Sequence, residues 1–148
     1  MQTNFLRVAL ADDDEDDRLL FDEAIKQLSI KTELMLFKDG QELMDYLTLS
    51  GTLHPNLIFL DLNMPAKNGM QCLQEIRENT ALKDLAIAIY STSSSEQDIE
   101  ETFVNGANIY INKPTSFSKL KEVIERVLHL NWQYHTSNMN RNTFLFRF

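Results

Sequence analysis

Leu57-Ile58-Phe59-Leu60 is an uninterrupted apolar run only four residues long, and Asp61 ends it in front of a loop that carries Pro65 and Gly69. A run this short, without polar alternation, reads as a strand buried on both faces. Such a strand belongs in a parallel sheet covered by helices on either side. In open sheets of that kind, ligands and chemistry collect at the carboxyl ends of the strands, which is where Asp61 falls. A carboxylate that ends a strand is more often a helix cap or a turn residue. Its meaning therefore depends on what the other strands deliver to the same edge.

Four more segments have the same form. Phe5 to Ala11 reads as a first strand and is followed at once by the acidic run Asp12 to Asp17. Leu20, Phe21, Ala24, Ile25 and Leu28 then recur at helical spacing, giving a first helix to about Ser29. Thr32 to Phe37 reads as a second strand, and Asp39 with Glu42 has the spacing of a capping box for a second helix closed by Ser50-Gly51. A third helix follows the Asp61 loop, with Cys72 packed inside it as an inert residue. Ala86 to Ser91 is a fourth strand, and Ser95 with Asp98 opens an acidic fourth helix to Asn105-Gly106. Ile109 to Asn112 is a fifth strand ending in Lys113-Pro114, with a fifth helix from Phe117 to Leu130. Strands that alternate with helices at short spacing give an α/β fold with parallel strands and right-handed crossovers.

The strand ends then form a set: Asp12 and Asp13 after the first, Asp61 after the third, Ser91 after the fourth and Lys113 after the fifth. Asp14 to Asp17 read as a solvated helix entry, since acidic groups favour a helix N-terminus. At about 5 Å and an effective dielectric near 20, each pair among Asp12, Asp13 and Asp61 costs roughly 3 kcal/mol. Unless one of the three is protonated, such a cluster calls for a cation, and carboxylate oxygens with few other protein ligands suit Mg²⁺ rather than Ca²⁺. A metal pocket, a nucleophilic carboxylate, a hydroxyl and an ammonium together can hold a phosphoryl group on Asp61.

Composition removes several other classes. The 148 residues are 43% apolar and 24% charged, which fits one domain with a sizeable core. A formal charge of -8 argues against direct binding to nucleic acid or to an anionic membrane through the body of the domain. A single cysteine excludes an intramolecular disulfide framework and a cysteine-based zinc site. With no signal segment and no long apolar run, a cytoplasmic location is expected.

On Asp12-Asp13, on Asp61 within Leu-Asp-Leu-Asn-Met-Pro followed by Gly69, on Ser91 and on Lys113-Pro114, the chain resembles the receiver domains of two-component response regulators from about Phe5 to Leu130. The resemblance implies a flavodoxin-like (βα)5 doubly wound parallel sheet in strand order 2-1-3-4-5. It implies that Asp61 accepts a phosphoryl group from a phosphohistidine of a sensor histidine kinase or a histidine phosphotransfer protein. Asp13, Asp61 and the backbone carbonyl of Asn63 would bind Mg²⁺ directly, with Asp12 acting mostly through water. Lys113 would contact a phosphoryl oxygen, and Ser91 would swing to hydrogen-bond it, letting Tyr110 rotate inward as the switch. The side chains of Asn63 and Ser93 would tune the lifetime of the phosphate. Thr115 stands where many members have Phe, and Ser91 where Thr is commoner.

The resulting expectation is a stand-alone response regulator, with a receiver over residues 1–130, a C-terminal extension over 131–148 and no output domain. It is a phosphoacceptor with slow autodephosphorylation rather than an enzyme. Its output would be a changed protein-binding surface on the fourth helix, fifth strand and fifth helix, used by a downstream protein or a homodimer. Four apolar residues among the last five suggest that the tail docks on the domain, on a second copy or on a partner. Two alternatives stand beside this: a receiver-like interaction module independent of phosphorylation, and an aspartyl-phosphate phosphatase. The haloacid dehalogenase type of phosphatase needs a second Asp where Asn63 lies.

Overall fold

The computed structural model describes residues 5–130 and the backbone of Leu145–Phe146. Strands β1 (Leu6–Ala11), β2 (Thr32–Phe37), β3 (Leu57–Leu60), β4 (Ala86–Ser91) and β5 (Ile109–Asn112) alternate with helices α1 (Glu15–Lys26), α2 (Gly40–Thr48), α3 (Gly69–Glu78), α4 (Glu96–Val104) and α5 (Phe117–Leu128). All the strand pairings are parallel. The order β2-β1-β3-β4-β5 is the one expected, and a sixth strand, β6 (Leu145–Phe146), extends it along β5. Tyr110 aligns with Leu145 and Ile111 with Phe146. β6 was not foreseen as a strand, although the tail's apolar residues pointed to docking. The intervening residues of the 131–148 extension lie outside the described residues.

The central strands bury both faces because their side chains alternate between two cores. Ala9, Ala11, Ile58, Leu60, Ile87, Ile89 and Tyr110 face one side, packed on Leu43, Leu47, Leu73, Ile76 and Ile99 of α2, α3 and α4. Val8, Leu10, Leu57, Phe59, Ala88, Tyr90, Ile109 and Ile111 face the other, packed on Phe21, Ala24 and Ile25 of α1 and Leu120, Val123 and Val127 of α5. A period-two strand forced between two layers has no polar position until it leaves the core. That is why each run ends so abruptly in a functional group.

Helix entries are capped by side chains. Asp14, Asp39, Asn68, Ser95 and Ser116 accept from the backbone N–H three residues on. The reciprocal capping box expected at Asp39 and Glu42 is not formed, because Glu42 accepts from Lys38 N, one residue further back. The complete box is at α3, where Gln71 accepts from the Asn68 N–H. α1 and α5 each end two to three residues before the hydrophobic periodicity suggested, Leu28 and Leu130 packing beyond the last helical turn. Cys72 is buried, and that burial pushes its thiol up to about 12, as fits an inert residue.

Gly69 starts α3 with its N–H on Leu62 O at 2.9 Å, and a Cβ there would overlap Asp61 O and Leu62 Cα. Only glycine lets α3 approach the Asp61 loop this closely. Gly69→Ala is expected to cost about 2–3 kcal/mol in urea unfolding, as an overpacked site does. Gly51→Ala, at φ +84° with open space around it, should cost only about 1 kcal/mol.

Candidate functional site

Register brings the strand-end groups together. Ala11 aligns with Leu60, so Asp12 and Asp61 stand side by side, with the Asp61 N–H on Ala11 O at 3.0 Å. Ser91 aligns with Asn112, and Lys113 N donates to Ser91 O at 2.8 Å. Asp12, Asp61 and Ser91 are buried, whereas Asp13 is exposed. Each buried carboxylate is oriented by its own turn: Asp12 Oδ1 accepts from Asp14 N at 3.0 Å, and Asp61 Oδ1 accepts from Asn63 N at 3.3 Å. Arg18 clamps the end of β1 by donating to Asp12 O at 2.7 Å.

The Lys113 ammonium sits inside this group. Its Nζ is 2.8 Å from Asp12 Oδ2, 2.8 Å from Asp17 Oδ2 and 3.2 Å from Asp61 Oδ2. The Asp17 and Asp61 contacts are hydrogen bonds. The Asp12 contact is an ion pair without hydrogen-bond alignment, so Asp12 Oδ2 keeps acceptor capacity although it is buried. Burial alone would lower the Lys113 pKa, but its contacts with Asp12 and Asp17 and the charge of Asp61 outweigh that and hold it above its ordinary value. Beneath it, the Tyr90 ring lies 5.3 Å away, in an edge-to-face cluster with Phe21 and Phe59.

One oxygen from each of Asp12, Asp13 and Asp61 lies within 4.8 Å of the other two. Oxygens bound at about 2.1 Å to one Mg²⁺ are at most roughly 4.2 Å apart, so a small contraction closes the set around a hard divalent ion. An all-oxygen donor set and the spare acceptor capacity of a buried carboxylate fit that ion.

Ser91 and Tyr110, the residues expected to act as the switch, both bond to Ser93 in the β4–α4 loop. Ser91 Oγ accepts from Ser93 N at 3.1 Å. Tyr110 is fully buried and its hydroxyl donates to Ser93 O at 2.7 Å. The resemblance implies that Tyr110 turns inward once Ser91 moves, but here it is inward with Ser91 still held in its own loop. Asn112 Nδ2 also donates to Ser93 O, at 3.0 Å, and Ser93 Oγ donates to Asp98 Oδ2 at 2.6 Å. The Ser93 side chain is thus turned to α4, and Ser93 O takes two donors from β5.

Asp17, Tyr90 and Asn112 were missed as neighbours of the site. Sequence alone makes Asp17 part of a solvated helix entry, yet its carboxylate meets Lys113. The signal lay in position: a first-turn residue of α1, five positions after Asp12, reaches back over the strand end from which its helix starts.

Folding places Asp61 where its charge is costly. Burial raises its pKa to about 6, Lys113 opposing the rise and Asp12 adding to it. A carboxyl whose pKa is raised by folding carries no penalty below pH 3.8, gains one as pH climbs to about 6, and bears it fully above that. Without divalent cation, Asp61→Asn is therefore expected to stabilise the fold by about 2–3 kcal/mol at pH 7.5, with the gain vanishing near pH 4. Urea unfolding in EDTA at the two pH values checks this.

A family model described as the response regulator receiver domain matches residues 8–125. The response regulator Rcp1 of Synechocystis sp. is 32% identical over 124 residues, covering 81% of this chain and 84% of that protein. Similar solved structures include the Mn(2+)-bound form of Rcp1, with a TM-score of 0.76 and 31% identity over 82% of this chain and 91% of that one. The phosphorylated cyanobacterial phytochrome response regulator RcpA has a TM-score of 0.77 and 31% identity over 83% and 91% of the two chains.

Proposed function

The chain belongs to the response regulator receiver domain family, and from the geometry of its strand ends we propose that Asp61 accepts a phosphoryl group from a phosphohistidine. The observation that carries the reading is Lys113 held between Asp12 and Asp61 at the edge where an acidic, all-oxygen cluster also meets. An Asp61 carboxylate oxygen attacks phosphorus, the phosphorus–nitrogen bond breaks, and the donor imidazole leaves as the acyl phosphate forms. Lys113 exchanges its Asp61 contact for a phosphoryl oxygen, and Ser91 Oγ turns from Ser93 N to donate to another. Asp12, Asp13, Asp61 and the Asn63 carbonyl would hold a divalent cation, which would supply charge neutralisation for the phosphoryl oxygens. Transfer is then mainly a matter of positioning, with slow hydrolysis resetting the protein. Among the relatives, a Mn(2+)-bound Rcp1 and a phosphorylated RcpA lend this reading support.

The donor would be a sensor histidine kinase or a histidine phosphotransfer protein, and the output a change on α4, β5 and α5 felt by a downstream protein or a second copy. We place the receiver at residues 1–130, with α5 ending at Leu128, and the remainder as an extension. Asn63 and Ser93 would set the phosphate lifetime. Among the described residues no helix is long and apolar enough to cross a membrane, and a cytoplasmic location is part of the proposal. The inward Tyr110 favours a second reading in part: a binding surface already formed before phosphorylation.

With acetyl phosphate and Mg²⁺, intact mass is expected to show one added phosphoryl group on the wild type. Asp61→Asn should show none, and EDTA should abolish the gain. No gain with any phosphohistidine donor, in a folded protein, would move the chain to the phosphorylation-independent module. Steady turnover of phosphate esters would point instead to the phosphatase.

A further inference from the structure

Resting on the phosphoacceptor reading, we propose that Asp17 is a positioning residue that keeps the Lys113 ammonium at the phosphoacceptor when a divalent cation occupies the Asp12–Asp13–Asp61 corner. Among the described residues Lys113 has three carboxylate neighbours, and two of them, Asp12 and Asp61, belong to the cluster that would hold the cation. A cation there competes with the ammonium for those oxygens and repels it. Asp17 is the neighbour outside that cluster. Its carboxylate is a full hydrogen-bond partner at 2.8 Å, and it approaches from α1.

Asp17 is itself held in place. Its N–H is bonded to Asp14 Oδ1, and the next residue, Arg18, is pinned to Asp12 O, so the first turn of α1 is fixed to the end of β1. Beside both Asp17 and Lys113 lies a cavity of about 80 Å³ between α1 and the start of α5, lined also by Tyr90, Pro114 and Phe117. An ammonium released from Asp12 and Asp61, with no Asp17 to hold it, has room to withdraw in that direction. With Asp17 in place, one N–H stays anchored while the other two remain free for phosphoryl oxygens.

The test compares Asp17→Asn and Asp17→Glu with Asp16→Asn, which removes the same charge from an exposed neighbour in the same helical turn. NMR of the Lys113 ammonium in the full chain, with and without Mg²⁺, reads its anchoring directly. In Mg²⁺ the wild-type and Asp16→Asn signals should persist, the Asp17→Asn signal should be lost to exchange with water, and Asp17→Glu should retain it. At saturating Mg²⁺ the initial rate of phosphorylation by acetyl phosphate should fall about ten-fold in Asp17→Asn, the worth of one charge-assisted hydrogen bond, with partial recovery in Asp17→Glu. The proposal is overturned if Asp17→Asn matches the wild type, if Asp16→Asn loses as much, or if signal and rate do not change together. If the wild type accepts no phosphoryl group, the phosphoacceptor reading falls, and the signal in Mg²⁺ alone decides the anchor: retained in Asp17→Asn it overturns the proposal, lost it supports it.

Discussion

A single ammonium shared by three carboxylates holds the functional edge of this molecule together. Lys113 lies within 3.2 Å of Asp12, Asp17 and Asp61, residues that arrive from β1, α1 and β3, while Lys113 itself follows β5. Without it, the buried pair Asp12 and Asp61 would repel each other across neighbouring strands, by several kcal/mol at the dielectric of such a site. With it, the pair is tolerated but not satisfied. Asp61 remains harder to ionise than a free carboxyl, and Asp12 keeps a buried oxygen with acceptor capacity to spare. The pocket is therefore folded in a state that gains from a divalent ion and from a group offering new oxygens to Lys113.

The fold supplies this arrangement by economy of pattern. Because β1, β3, β4 and β5 are parallel, all four finish at one edge, and because both of their faces are packed, the first polar residue of each falls there. Gly69 brings α3 hard against the Asp61 loop, and the Phe21–Phe59–Tyr90 cluster forms an apolar floor under the ammonium. On the opposite face of the sheet, Tyr110 links β5 to Ser93 in the β4–α4 loop. A change at Ser91 is thus one short loop away from α4.

Much of this was legible in the residues. Strand positions such as Thr32–Phe37, Leu57–Leu60, Ala86–Ser91 and Ile109–Asn112 follow directly from short apolar runs closed by polar groups. Asp12, Asp13, Asp61 and Lys113 could be grouped because parallel topology sends strand ends to one edge. Asp17 was not legible, since six consecutive acidic residues look alike until the helix phase decides which one turns back to the sheet. The capping partner of Glu42 shifted by one residue because the extended backbone at Asp39 offers the preceding N–H of Lys38 instead. Tyr110 is held inward in part by a backbone carbonyl, Ser93 O, which side-chain identity does not reveal. β6 needed knowledge that the open edge of β5 accepts another strand.

The most direct measurement is a crystal structure of the full chain grown with Mg²⁺ and beryllofluoride. Beryllium is expected on an Asp61 oxygen, with Lys113 Nζ hydrogen-bonded to a fluorine and Ser91 Oγ turned away from Ser93 N toward another fluorine. A structure with Mg²⁺ present, no adduct on Asp61 and Lys113 still seated between Asp12 and Asp61 would contradict that expectation.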